Sequence, residues 1–149
     1  MKIEGQEITN EMEKLVKSIV KVALQYEKIT GRKMGITGEV GEIRTCKELS
    51  LKLAPPFTKG YDAIGTDDSR YQIKTRRKSE EKKRRGKVPA FKNEDFDIAV
   101  LTILDENYEI GSICKLEKRE LQPFFPKNKK KRISIRKFQR IYEDTIQSR

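Results

Sequence analysis

The chain of 149 residues contains no histidine. This absence excludes Ser-His-Asp and Cys-His catalysis, histidine-ligated metals and nucleases that use a histidine base. Any acid–base or metal chemistry must therefore depend on carboxylates, lysine, tyrosine, cysteine or amide groups.

Cysteines and long apolar runs are scarce as well. Cys46 and Cys114 are 68 positions apart, which predicts two free thiols in the core and neither a disulfide framework nor a zinc site. The strongest apolar stretch, residues 98–104, is interrupted by Thr102 and is far shorter than the roughly 20 residues of a membrane helix. The first residues also lack the apolar segment of a signal peptide, so we expect a cytoplasmic protein without a membrane partner.

Positive charge, by contrast, is abundant and concentrated. Thirty-four Lys and Arg residues against 23 Asp and Glu residues give a net charge of +11. Residues 76–87 sum to +6 and residues 127–140 to +8, so the rest of the chain sums to −3. This concentration predicts a polyanionic partner, first of all nucleic acid, because Lys and Arg neutralise phosphates and release counterions. The alternative interpretation is that both runs are solvated loops.

Apolar periodicity predicts three long helices. The first covers residues 11–29, with Asn10 as the N-cap, and the second begins at Thr37 as the N-cap. The third covers roughly residues 134–146, with Ser134 as the N-cap.

The remaining pattern predicts strands over residues 61–64, 70–75, 97–104 and 108–114, with a short helical turn at 118–121. The first two strands form a hairpin, residues 97–104 form a central strand, and residues 76–87 form a loop. The sequence therefore predicts one α+β (α/β) domain over 1–149, with a small mixed β-sheet flanked by helices. Its parts are an N-terminal helix (1–35), a core (36–121) and a basic segment with a C-terminal helix (122–149).

Acidic and amide side chains between residues 37 and 76 form a pattern that suits metal chemistry. Gln72 and Lys74 project to the same side because alternate residues of a strand share a face. A tight hairpin can bring Asp62 to that side, and Glu39 and Glu42 share one face of the second helix. Each residue alone is more often a surface or helix-dipole group. Together, oxygen ligands that converge with an ammonium group suit a hydrated Mg²⁺ and an attacking water.

The same segment resembles the PD-(D/E)xK nuclease superfamily, the fold of many restriction endonucleases and archaeal Holliday junction resolvases. The resemblance is carried by residues 38–42 (GEVGE), 60–63 (GYDA) and 71–76 (YQIKTR), which together resemble a small family marked by these motifs. It implies a restriction-endonuclease-like core. It also implies that Asp62 is the main metal ligand and that Gln72 occupies the position of the second acidic ligand.

Further roles follow from the resemblance. Glu42 matches the helix glutamate, with Glu39 as the alternative, and the backbone carbonyl of Ile73 is a further ligand. Lys74 matches the lysine that positions the water and stabilises charge on the phosphate. The implied catalytic set is Glu42, Asp62, Gln72 and Lys74.

The resemblance implies an Mg²⁺-dependent phosphodiester hydrolase acting on DNA, an endonuclease in which Mn²⁺ can replace Mg²⁺. Gln72 is neutral where Glu or Asp is the rule, which removes one negative charge and leaves open a degenerate, binding-only domain of the same fold. A basic structural protein that prefers RNA is a third interpretation, against which the paired Asp62 and Gln-x-Lys motifs argue. Cutting a duplex usually needs two active sites, which favours a homodimer; helix 11–29 is either its interface or a cover for the sheet.

We expect the phosphate contacts to come from the two basic runs. The residues concerned are Arg76, Arg77, Lys78, Lys82, Lys83, Arg84, Arg85, Lys87, Lys129, Lys130, Lys131 and Arg132.

Overall fold

The computed structural model describes residues 4–78, 90–125 and 132–148. In these ranges the helices are Asn10–Thr30 (α1), Thr37–Leu49 (α2), Lys118–Leu121 (α3) and Ile135–Gln147 (α4). The strands are Lys52–Leu53 (β1), Ala63–Ile64 (β2), Arg70–Arg77 (β3), Ala90–Lys92 (β4), Ile98–Leu104 (β5), Ile110–Glu117 (β6) and Arg132–Ser134 (β7). The predicted α+β class with a small mixed sheet is confirmed.

The main sheet has five strands in the order β1-β2-β3-β5-β6, and β4 pairs with β7 in a second sheet. β3 and β5 are parallel neighbours, and the other pairs of the main sheet are antiparallel. The apolar run 98–104 is therefore a central strand, as predicted. The predicted hairpin is confirmed as the β2–β3 pair, although β2 is only two residues long.

The main sheet separates two layers of apolar packing. On one face, α2 covers Ile73 and Val100, and α1 together with α2 covers Leu104. On the other face, α3, α4 and the small sheet cover residues such as Leu101. There the rings of Phe91 on β4 and Phe138 on α4 stack with their centroids 4.4 Å apart, which joins the small sheet to the last helix.

Three helix starts test the predicted caps. Thr9, and not Asn10, caps α1, because its side chain accepts the backbone N–H of Met12 at 3.2 Å. Thr37 is already the first helical residue of α2 and does not cap it. The predicted cap of α4 is confirmed, since the Ser134 hydroxyl accepts the N–H of Lys137 at 3.1 Å.

Several strand boundaries differ from the prediction, and the structure gives a reason for two of them. Strand β6 starts at Ile110, because the Asp105 carboxylate accepts the N–H groups of Asn107 and Glu109 and holds the preceding residues in a turn. The predicted loop 76–87 is wrong at its start: Arg76 and Arg77 extend β3 by continuing the parallel register with β5. Residues 79–89 lie outside the described ranges, and the pairing of β4 with β7 was not predicted.

Cys46 is buried on α2, Cys114 is half-buried on β6, and both are free, as predicted. Of the helices that the structure describes, none combines the length and the apolar character needed to cross a membrane.

Candidate functional site

The hairpin fixes the carboxylate of Asp62 against strand β3. Asp62 directly precedes β2, and its backbone N–H donates to the carbonyl of Tyr71 at 2.7 Å. Its Oδ2 accepts the backbone N–H of Ile73 at 2.7 Å. The carbonyl of a strand residue points to the same side as its N–H, so the Ile73 carbonyl also faces Asp62.

Gln72 is a buried amide with only half of its hydrogen bonds made. The residue is 4% exposed, and its Nε2 donates to the backbone oxygen of Gly60 at 3.3 Å. Its Oε1 is buried without a hydrogen-bond partner. Buried polar atoms are nearly always partnered, so this oxygen is a lone acceptor that a ligand can satisfy.

Close packing of α2 against β3 places Glu42 near Asp62 and Lys74; together with Gln72 on β3, these residues are called the pocket. A Cβ on Gly41 would lie 2.0 Å from Oγ1 of Thr75, so only glycine permits this approach of helix and strand. Glu42 is the next residue of the helix and is half-buried.

The two carboxyl groups of the pocket strongly influence each other. The pKa of Glu42 is raised to about 7, first by burial and then by the charges of Asp62 and Glu39. Burial also raises the pKa of Asp62, against the opposing effects of the Ile73 N–H and Lys74. A side-chain interaction between the two carboxyls raises the pKa of Glu42 and lowers that of Asp62.

The positive charge of Lys74 lowers the pKa of Glu42 and of Asp62. Lys74 therefore lies close to both acids. The structure thus brings together Glu42, Asp62 and Lys74, whereas the described contact of the Gln72 side chain is with the carbonyl of Gly60. Glu39 is exposed and acts on Glu42 only through its charge. Sequence reasoning missed Glu94, whose charge raises the pKa of Asp62. The acidic run 94–97 just before β5 was the available signal.

The oxygen atoms of this pocket fit a hard cation such as Mg²⁺, bound by few negatively charged ligands. Within the described ranges, no group of three or more His, Cys, Asp or Glu side chains is arranged to hold a metal ion. The pocket therefore offers two carboxylates, Glu42 and Asp62, together with the amide oxygen of Gln72 and the carbonyl of Ile73. Oxygen donors of these kinds are the ligands of Mg²⁺, and the unpartnered Oε1 of Gln72 suits that role.

The described basic residues divide into exposed and internal ones. Arg76 is exposed near the end of β3, Lys78 is exposed just after it, and Arg132 is exposed on β7. Arg77 is a correction: its side chain is 9% exposed, pairs with Glu27 at 2.8 Å and lies over the ring of Tyr108. Its guanidinium is thus committed inside the protein and does not face a phosphate. The other predicted contacts, Lys82, Lys83, Arg84, Arg85, Lys87, Lys129, Lys130 and Lys131, lie outside the described residues.

A scan against protein-family models finds no match to this chain, and a search of curated proteins finds none either. The pocket residues and the three motifs are therefore the features from which a function can be argued.

Proposed function

We propose that this protein is an Mg²⁺-dependent phosphodiester hydrolase that acts on DNA in the cytoplasm, an endonuclease of the PD-(D/E)xK type. The observation that carries the proposal is the buried, unpartnered Oε1 of Gln72, whose Nε2 donates to the carbonyl of Gly60 two residues before Asp62. Glu42 and Lys74 both act on the carboxyl group of Asp62. A buried oxygen without a partner is costly for a fold alone and useful for binding a cation.

Each residue has a role in this proposal. Asp62, Glu42, the Gln72 amide oxygen and the Ile73 carbonyl would hold Mg²⁺ or Mn²⁺. The ion would polarise a phosphoryl oxygen and lower the pKa of a water. Lys74 would orient the attacking water and offset the negative charge that develops on the phosphate.

The distribution of positive charge supports a polyanionic substrate. Gln72, Lys74 and Arg76 alternate along β3 and therefore share the face of the sheet opposite α2. Helix α4 packs on that face, because Leu101, which pairs with Lys74, belongs to the same apolar cluster as Phe138. The small sheet also connects the two basic runs. Strand β4 begins three residues after the first run, and its partner β7 lies within the second run.

Plasmid nicking tests the proposal. We expect Lys74→Ala to reduce Mg²⁺-dependent nicking by about 100-fold or more. The matched control is Lys115→Ala, which removes the same charge from an exposed position on β6 and should leave nicking within about twofold of the wild type. Equal activity of wild type and Lys74→Ala would contradict the role of Lys74.

The neutral Gln72 favours one alternative, a nucleic-acid-binding domain of the same fold without catalysis. This alternative predicts salt-sensitive DNA binding by the wild type and no cleavage with Mg²⁺ or Mn²⁺. Loss of cleavage in both ions, with binding retained, would decide for it.

A second copy of the chain is the partner we propose for helix α1. Leu15, Ile19, Val22 and Ile29 are between 48% and 84% exposed, and their steps of four, three and seven residues fit the seam of a coiled coil. Glu11 lies at the start of the helix and Arg32 just after its end, so antiparallel pairing would bring opposite charges together. We expect Ile19→Lys to shift a dimer to monomer in sedimentation equilibrium, whereas Ile146→Lys, also at an exposed apolar position, should not.

A further inference from the structure

The loop that leads to Asp62 carries a fully exposed aromatic side chain. Phe57 is 101% exposed, more than any other large apolar residue in the described part of the chain. Apolar side chains of this size are normally covered at least in part. Phe57 is thus free to contact a partner with the whole of its ring.

The backbone beneath Phe57 is held in a conformation that a phenylalanine disfavours. The N–H of Thr58 donates to the Pro55 carbonyl at 3.2 Å, and the Thr58 hydroxyl donates to the same oxygen at 2.6 Å. This closes a four-residue turn with Pro56 second and Phe57 third. Phe57 has φ +65°, the left-handed value that the third position of a type II turn requires and that glycine supplies best. The turn therefore projects an aromatic ring at a position where glycine would be more stable.

Hydrogen bonds connect the loop that carries this turn to Asp62 and Gln72 of the proposed active site. The N–H of Ala54 donates to the carbonyl of Asp62 at 2.9 Å and closes the loop at the carboxylate residue itself. The carbonyl of Gly60 holds the Gln72 amide. Three residue steps separate Ala54 from Phe57, so the two Cα atoms are at most about 11 Å apart. That reach corresponds to about three nucleotide steps along a strand.

We propose that Phe57 stacks on an unpaired base of the nucleic-acid strand whose phosphate lies at the Asp62 pocket. The inference deepens the proposed function and rests on it. An aromatic ring offers its face to any base, and such stacking is a sequence-tolerant contribution to binding. Lys59, exposed in the same loop, adds a cation for the adjoining phosphate. The substrate class is then DNA with an unstacked base near the cleaved bond, such as a single strand, a gap or a branch.

The chain contains no tryptophan, so Phe57→Trp provides a single fluorescent reporter. The probe is an oligonucleotide with one single-stranded gap, added in EDTA so that no metal-dependent cleavage occurs. We expect stacking to quench the indole fluorescence of the Phe57→Trp variant, whereas that of Phe124→Trp, at a 42% exposed position, should change little. Phe57→Ala should weaken binding of the gapped oligonucleotide about 5- to 100-fold and binding of a perfect duplex much less.

A third variant separates stacking from folding. Phe57→Gly should melt at a temperature at least as high as the wild type, because glycine accepts the left-handed conformation, and yet bind as weakly as Phe57→Ala. Binding by Phe57→Ala equal to wild type, or no quenching of Phe57→Trp by an oligonucleotide that the wild type binds, would overturn the inference and leave the proposed nuclease standing. The ring would then serve a protein partner. A wild type that binds no DNA at all would overturn both.

Discussion

The two faces of the central sheet treat buried polar side chains differently. On the face covered by α2, the hydroxyl oxygens of Thr45 and Thr102 lie 2.5 Å apart and satisfy each other away from solvent. On the opposite face, Gln72 is also buried but leaves its Oε1 without a partner. Burial also raises the pKa values of Glu42, on α2, and of Asp62. The hydroxyl groups of the threonine pair satisfy each other, whereas the Oε1 of Gln72 has no partner among the described residues.

The largest effect should come from neutralising the pocket. Asp62→Asn keeps the shape of the side chain and an oxygen that can accept the Ile73 N–H, but it removes the charge that a cation needs. We expect nicking of plasmid DNA to fall at least about 100-fold. The free energy of unfolding at pH 8 should be unchanged or higher, because burial penalises the ionised carboxylate. Asp67→Asn, in an exposed turn, is the matched control and should keep full activity. A fall in stability without a fall in activity would make Asp62 a structural residue.

The next effect concerns the helix contact that delivers Glu42. Gly41→Ala would drive a methyl group into Thr75 and should lower the free energy of unfolding by about 2 kcal/mol. Adding Thr75→Ala should restore part of this loss by making room, and it also removes a hydroxyl that has no partner. Gly38→Ala meets nothing within 4 Å and should not destabilise the fold. Urea unfolding distinguishes the variants. Because alanine favours a helix more than glycine does, an equal loss at both glycines would show that the contact with Thr75 is not the cause.

The threonine pair gives the direct counterpart to the Gln72 pocket. Thr102→Val leaves the Thr45 hydroxyl buried without a partner and should cost about 1–2 kcal/mol in urea unfolding. The double variant Thr45→Val/Thr102→Val should recover most of that loss. Gln72→Met, by contrast, should cost little in the metal-free protein, because half of the amide is already unsatisfied. If Gln72→Met is as costly as Thr102→Val, the contrast between the two faces does not hold.

Local patterns predicted the elements but not how pairs of elements meet. Helix periodicity, the Ser134 cap and the alternation of Gln72 and Lys74 are local properties, and the structure has each of them. The small sheet was not predicted, because β4 and β7 are three residues each and depend on pairing between residues 90 and 134. The internal role of Arg77 was also not predicted. It requires Glu27 of α1, 50 positions away, and charge patterning along the chain carries no information about that contact.

The pKa of Glu42 also depends on neighbours that are distant in the chain. The sequence therefore predicted Glu42 as a site residue but not its raised pKa. In the metal-free protein its pKa of about 7 exceeds the 4.5 of an ordinary glutamate, so the folded state binds more protons between these values. The stability that Glu42 contributes is therefore fully present below about pH 4.5 and is lost as pH rises through about 7.

Of the effects expected at Asp62, Gly41, Thr102 and Glu42, this loss of stability should be the smallest. We expect it to be of order 1 kcal/mol, because the Glu42 side chain is half-buried and solvent screens its neighbours. Urea unfolding at several pH values checks it, with Glu42→Gln as the control that lacks this component of the slope. Mg²⁺ should reverse the trend, because a cation favours the ionised acids, and its stabilising effect should be greater at pH 8 than at pH 5.5. If Mg²⁺ stabilises the wild type and Glu42→Gln equally at both pH values, then Glu42 is not part of the cation site, and the pocket would have to bind through Asp62, Gln72 and the Ile73 carbonyl alone.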